Sequence, residues 1–221
     1  MPTYAAEDLT RWRDAIIAAW RDQLDEPPEG WSISPADFVP VVAVLPSLAI
    51  KDPYVWRAYQ YRARDSGHGR VFAVPRQAEW PEPAPAGGGE VSGPPHALGH
   101  LADSLEGDAS AESYVQASIL RREMDSFGTA GHGSTRWDEC RIVDAAPFDP
   151  ALDGWEWREE PPDDWRPRVD VVGDEVVVRI YTVTSFDQEQ VCRHTDAYRR
   201  GSYHPETRIE VVAQGPPGYV T

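Results

Sequence analysis

Lysine is nearly missing from this chain of 221 residues: Lys51 is the only one among 21 basic residues. Cysteine is almost as scarce, with Cys140 and Cys192 alone. A disulfide framework is therefore excluded as the source of stability, and a chain of this length buries enough apolar surface without one. Long apolar runs are absent too. The longest, residues 38–45, is interrupted by Pro40 and falls far short of the roughly 20 residues that cross a bilayer as a helix. No membrane insertion is expected. Met1 leads within a few residues into Glu7 and Asp8, which leaves no apolar segment of the kind a secretory signal needs. With two thiols 52 positions apart, the expected setting is the reducing cytoplasm of a soluble protein.

The short motifs that carry readable chemistry are missing as well. There is no Gly-x-Ser-x-Gly elbow, no Cys-x-x-Cys pair, no Gly-x-Gly-x-x-Gly fingerprint and no acidic calcium loop, so the sequence predicts no cofactor.

What is present is acid and aromatic. Thirty-seven acidic residues give a net charge of −16, which repels phosphates and anionic lipid, so nucleic acid is not an expected partner. The pairs Arg121-Arg122 and Arg199-Arg200 read as solvated ends of elements. Arginine in place of lysine, with frequent alanine and proline, fits the codons of a GC-rich, bacterial-type genome. Nine Trp and nine Tyr stand against five Phe. Both residues carry a polar handle and are enriched at half-buried surfaces, which points to a protein partner.

Leu9, Trp12, Ile16, Trp20 and Leu24 recur at steps of three and four, predicting an amphipathic helix over 7–24 that Pro27-Pro28 ends. Ser34-Pro35 reads as a cap and first position of a short element running to Leu45. Residues 54–64 and 70–74 are β-branched and aromatic around a glycine-bearing turn and predict a hairpin. Residues 76–99, rich in proline and glycine around Trp80, predict a flexible surface insertion. A second helix over 111–127 is bracketed by Ser110 and Gly128. A strand is expected within 136–143, and the stretch 144–168 has no period, so Trp155, Trp157 and Trp165 read as anchors of an irregular loop. Period two is plainest at the end: Val176, Val178, Ile180 and Thr182 alternate within a meander of about four antiparallel strands over 168–213. The expected fold is α+β in one domain. Its antiparallel sheet joins the 54–74 hairpin to the meander, and the helices 7–24 and 111–127 pack on it.

Three weak sites emerge. His96 and His100 are four apart, a metal-chelating spacing on a helix, although Ala97 stands where a zinc protease needs its glutamate. The Gly-rich loop 128–135 has the spacing of a phosphate cradle, but Ser134 occupies the lysine position and the loop follows a helix instead of a strand. There His132 and Ser134 are the catalytic candidates, against a helix cap at Gly128 followed by a turn. Cys192, His194 and Asp196 share one strand face, a nucleophile-like row that a satisfied polar row also explains. The functional expectation is a non-catalytic cytoplasmic accessory or interaction protein, an adaptor or subunit of a larger assembly. The alternatives are a small-molecule enzyme or binder with its pocket beside 128–135, and a metal-binding protein through His96 and His100.

Overall fold

The computed structural model describes residues 1–23, 28–64, 66–86, 90–129, 137–148, 154–185 and 188–217. In chain order the elements are α1 (Ala6–Arg21), β1 (Gly30–Ile33), α2 (Val39–Ala43), β2 (Leu48–Ile50), β3 (Tyr54–Ala63), β4 (Ser66–Pro75), β5 (Pro85–Ala86), β6 (Glu90–Val91), β7 (Leu105–Gly107) and α3 (Ala111–Asp125). The C-terminal half adds β8 (Arg141–Val143), β9 (Glu156–Trp157), β10 (Arg168–Val172), β11 (Glu175–Thr184), β12 (Gln188–Arg199) and β13 (Glu206–Pro217). The fold is α+β with an antiparallel C-terminal sheet. No helix among the described residues is long and apolar enough to cross a membrane. The chain divides into two compact units, Trp12–Gly133 and the pair of segments Met1–Arg11 and Ser134–Thr221, so that α1 is shared between them.

In the C-terminal unit the strand order is β10-β11-β12-β13-β9, with β8 also on β11. The turn at Gly173-Asp174 joins paired Val172 and Glu175, and Gly173 has φ +62°, as the first central position of a type II′ turn requires. Two register shifts interrupt β12 against β13. Alternation is legible on β11 because Val176, Val178 and Ile180 are buried on one face. Nearer Thr184 the opposite face is covered too: Tyr181 and Val191 pack with Val143, Val212, Ala213 and Trp165. The loop before β10 supplies that cover through its tryptophans. Trp155 stacks on Phe148 at 3.7 Å, and Trp165 lies 5.2 Å from Tyr181. Gly215 admits this packing, since a Cβ there would meet the Trp155 ring at 2.8 Å. The chain's first residues join the same unit, with Tyr4 N–H donating to Pro167 C=O at 2.9 Å and Ala6 N–H to Asp144 Oδ2 at 2.9 Å. Leu9, on the first turns of α1, is fully buried.

In the N-terminal unit the 54–74 hairpin does not extend the meander. It forms its own three-stranded sheet, β1-β3-β4, because β3 takes its second partner from nearby Gly30–Ile33. The short helix also starts later than Ser34-Pro35 implied: it begins at Val39, whose N–H bonds to Asp37 Oδ1 at 2.9 Å, and the first-turn proline is Pro40. The Ser110 cap holds as read, its hydroxyl accepting from Ser113 N–H at 3.1 Å. Helix α3, however, is buried on nearly every side, Gln116, Ser118, Arg122 and Glu123 included. Those polar groups are partnered inside the unit. Gln116 Oε1 accepts from Ser47 N–H at 3.1 Å, and Arg13 Nε meets Glu123 Oε1 at 2.9 Å with both side chains under a tenth exposed. Apolar packing comes from Phe38, Trp20 and Phe127, with Phe127 5.0 Å from Trp20 and 5.3 Å from Phe38. Each such fully buried ring or aliphatic group contributes about 1.5–3 kcal/mol. On the other face of the three-stranded sheet Tyr59, Phe72, Val74 and Val91 form a second cluster. The Pro/Gly-rich stretch reaches over it, Trp80 stacking on Tyr59 at 4.4 Å.

Candidate functional site

Among the described residues β4 is an edge strand, paired with β3 alone. Its free edge is tied at two points. Gly69 N–H donates to Phe127 C=O at 2.7 Å, and Ala73 C=O accepts from Leu98 N–H at 2.9 Å. The first tie needs glycine, because a Cβ on residue 69 would sit 2.5 Å from the Phe127 ring. It also needs α3 to end where it does. Gly128, at φ +67°, takes the left-handed position that closes a helix and lies against Gly69.

In an antiparallel ladder, alternate residues turn their N–H and C=O groups toward and away from the neighbouring strand. Gly69 and Ala73 bond away from β3, so Val71 between them faces away as well. Among the described residues no backbone group outside the sheet reaches it. It opens on a cavity of about 640 Å³, walled by β4, the segment 93–101 and the last residues of α3.

Three features shape this cleft. The Arg70 guanidinium lies 5.7 Å over the Phe72 ring, and among the described residues no carboxylate pairs with it. Asp125 on the α3 wall is instead engaged by Arg121 at 2.8 Å. The third feature is the 93–101 wall, which turns at Pro94-Pro95-His96-Ala97, Ala97 N–H donating to Pro94 C=O at 3.2 Å. Proline at the second position and φ +67° at His96 give a type II turn, whose third position normally falls to glycine.

The sequence candidates distribute as follows. His96 stands in that turn and His100 precedes the 3-10 turn Leu101–Ser104, so the helical i, i+4 geometry behind the metal reading is not formed. His100 lines the cleft. Among the described residues no group of three or more His, Cys, Asp or Glu side chains is placed to hold a metal. His132 and Ser134 lie outside the described residues. Cys192, His194 and Asp196 share the face of Val178 and Ile180, where His194 and Asp196 are buried. His194 Nε2 shares a 2.9 Å hydrogen bond with Thr182 Oγ1, and Thr207 Oγ1 donates to Asp196 Oδ1 at 2.9 Å. Burial pushes the Cys192 thiol up, away from the thiolate that a nucleophile needs. Trp165 lies with Tyr181 and Val191 on the opposite face of the sheet, so His194 and the loop tryptophans do not converge.

Arg70 and the Val71 peptide were missed by sequence reasoning, which looked for histidines and glycine loops. A signal existed in β4 itself: glycines at 67 and 69, then a Pro/Gly-rich departure after 76, the composition of a strand lacking a regular second neighbour. Comparison with protein-family models, with curated proteins and with solved structures finds no match.

Proposed function

We propose that this chain is a binding protein, an accessory or adaptor component of the cytoplasm, whose recognition site is the cleft on the free edge of β4. The observation that carries the reading is the Val71 peptide group, which faces a cavity of about 640 Å³, within the range of small-ligand sites. The pocket expected beside residues 128–135 is a separate reading, since residues 130–135 lie outside the described residues and none of 128–135 lines this cleft. Of the nine tryptophans, Trp20, Trp56, Trp137 and Trp165 are buried and the other five half-buried, so an aromatic partner surface stands as a second reading beside the cleft.

The test uses Gly99, which lines the cleft and where a Cβ would meet nothing within 4 Å. Acetate, N-methylacetamide, glucose and AMP are titrated while the amide NMR signals of Gly69, Val71 and Leu101 are followed. At least one probe moves these signals in the native chain, and Gly99→Phe abolishes the response. No response to any of these probes or to a short peptide, or an unchanged response in the variant, removes the cleft as the site.

A further inference from the structure

Resting on that reading, we infer that the cleft's occupant is a short extended peptide segment bearing an acidic side chain. It adds to the free edge of β4 by main-chain hydrogen bonds to Val71 and sets its carboxylate on Arg70. Val71 offers one donor and one acceptor side by side on a strand edge, which is the pairing pattern of another extended chain. A phosphate or a lone carboxylate uses donors only and leaves the Val71 carbonyl unmatched.

Length sets the next constraint. The ties at Gly69 and Ala73 are four residues apart along β4, about 13 Å at strand rise. Between them there is room for two or three residues of an added strand. A segment this short gains few main-chain bonds, so specificity must come from its side chains. Side chains of an extended segment alternate between the two faces, and around the cleft they meet the apolar Phe72, Leu98 and Met124 beside the polar Arg70, His100 and Asp125.

Charge supplies the last constraint. In a chain of net charge −16, the Arg70 cation at the cleft has only an aromatic face beneath it. A guanidinium held this way presents its planar edge for a two-point bond to a carboxylate. The acidic residue of the ligand fills that position, and the remaining acids of the protein discourage ligands carrying several negative charges.

The experiment uses the whole chain and the probe acetyl-Val-Glu-Val-amide. Its controls are the Gln twin, a twin N-methylated at the central amides, acetate and inorganic phosphate, all read by amide shifts and dissociation constants. The Glu peptide binds about tenfold tighter than the Gln twin, the difference a charge-assisted hydrogen bond makes. It moves Gly69 to Ala73, and Arg70→Gln, an exposed substitution, removes the preference. The N-methylated twin does not bind. Equal binding of the Glu and Gln peptides, binding of the N-methylated twin, or acetate or phosphate matching the peptide overturns the inference. If small probes move the cleft signals and no peptide does, the peptide class falls while the cleft stands. If Gly99→Phe binds the peptide as the native chain does, the cleft reading falls with it.

Discussion

The two sheets manage their edges differently. In the C-terminal unit, β13 is met by β9 at Ala213 and Gln214, and Arg158 N–H bonds to Val212 C=O at 2.9 Å. The rest of that strand carries Glu206, Arg208 and Glu210, with Arg193 and Arg208 both paired to Glu210. Charged edges of this kind deter another strand from pairing. In the N-terminal unit the edge of β4 is recessed behind the segment 93–101 and lined by polar and apolar groups together, and among the described residues no carboxylate pairs with its Arg70. One edge is guarded by charge, the other by a wall with an opening. The difference teaches that a strand edge can be shielded by recess as well as by charge, and recess together with Arg70 is what marks the β4 edge as the proposed site.

The sharpest way to break this contrast is through the core beneath β4. Arg13→Ala removes the 2.9 Å ion pair to the buried Glu123, and urea denaturation should report a loss of about 3–5 kcal/mol. Joint replacement of the pair by Met and Leu recovers most of it. Next in size is Gly69→Ala, where the new methyl meets the Phe127 ring at 2.5 Å and its backbone oxygen at 3.1 Å. A cost of about 1–3 kcal/mol is expected, whereas Gly99→Ala, with nothing within 4 Å, stays within about 0.5 kcal/mol of the native chain.

On the guarded edge the effects are smaller. Arg193 contacts Glu159 at 2.9 Å and Glu210 at 2.7 Å near the surface, so Arg193→Ala should cost only about 0.2–1 kcal/mol. The same substitution has a titration signature. The Arg193 hydrogen bond holds the Glu210 carboxyl below its ordinary value, and NMR titration of the variant should find it raised. The smallest effect belongs to Asp164, whose side chain accepts from Arg166 Nε and Nη2, both at 2.9 Å. These bonds lower it from 3.8 to about 2. With the folded value below the unfolded one, its contribution is complete above the ordinary carboxylate range and is lost as pH falls through about 2. Arg166→Ala should return the midpoint toward 3.8.

How much of this was legible depended on whether the deciding interaction was local. The meander could be read because its alternation and the Gly173-Asp174 turn are local signals, and the limits of α3 because Ser110 and Gly128 are caps. The all-round burial of α3 could not. Gln116, Arg122 and Glu123 look like a solvated face until their partners are known, and Arg13 is 110 positions from Glu123. Which face of β12 is buried was equally closed, since His194 and Asp196 become acceptable inside only when Thr182 and Thr207 arrive from other strands. Composition marked 76–99 as poor in core residues but could not show Trp80 laid on Tyr59. The open edge of β4 is the least local feature of all, being defined by what pairs with residues on either side of Val71.

Amide hydrogen exchange at Val71 tests the central claim most directly. If its N–H faces the cleft, it exchanges much faster than those of Arg70 and Phe72, which face β3, and than that of Gly69, which is bonded to Phe127. Adding the acidic peptide then slows Val71 alone among the four. Protection at Val71 equal to that of Phe72 in the free chain would contradict the account, because the edge would already be occupied.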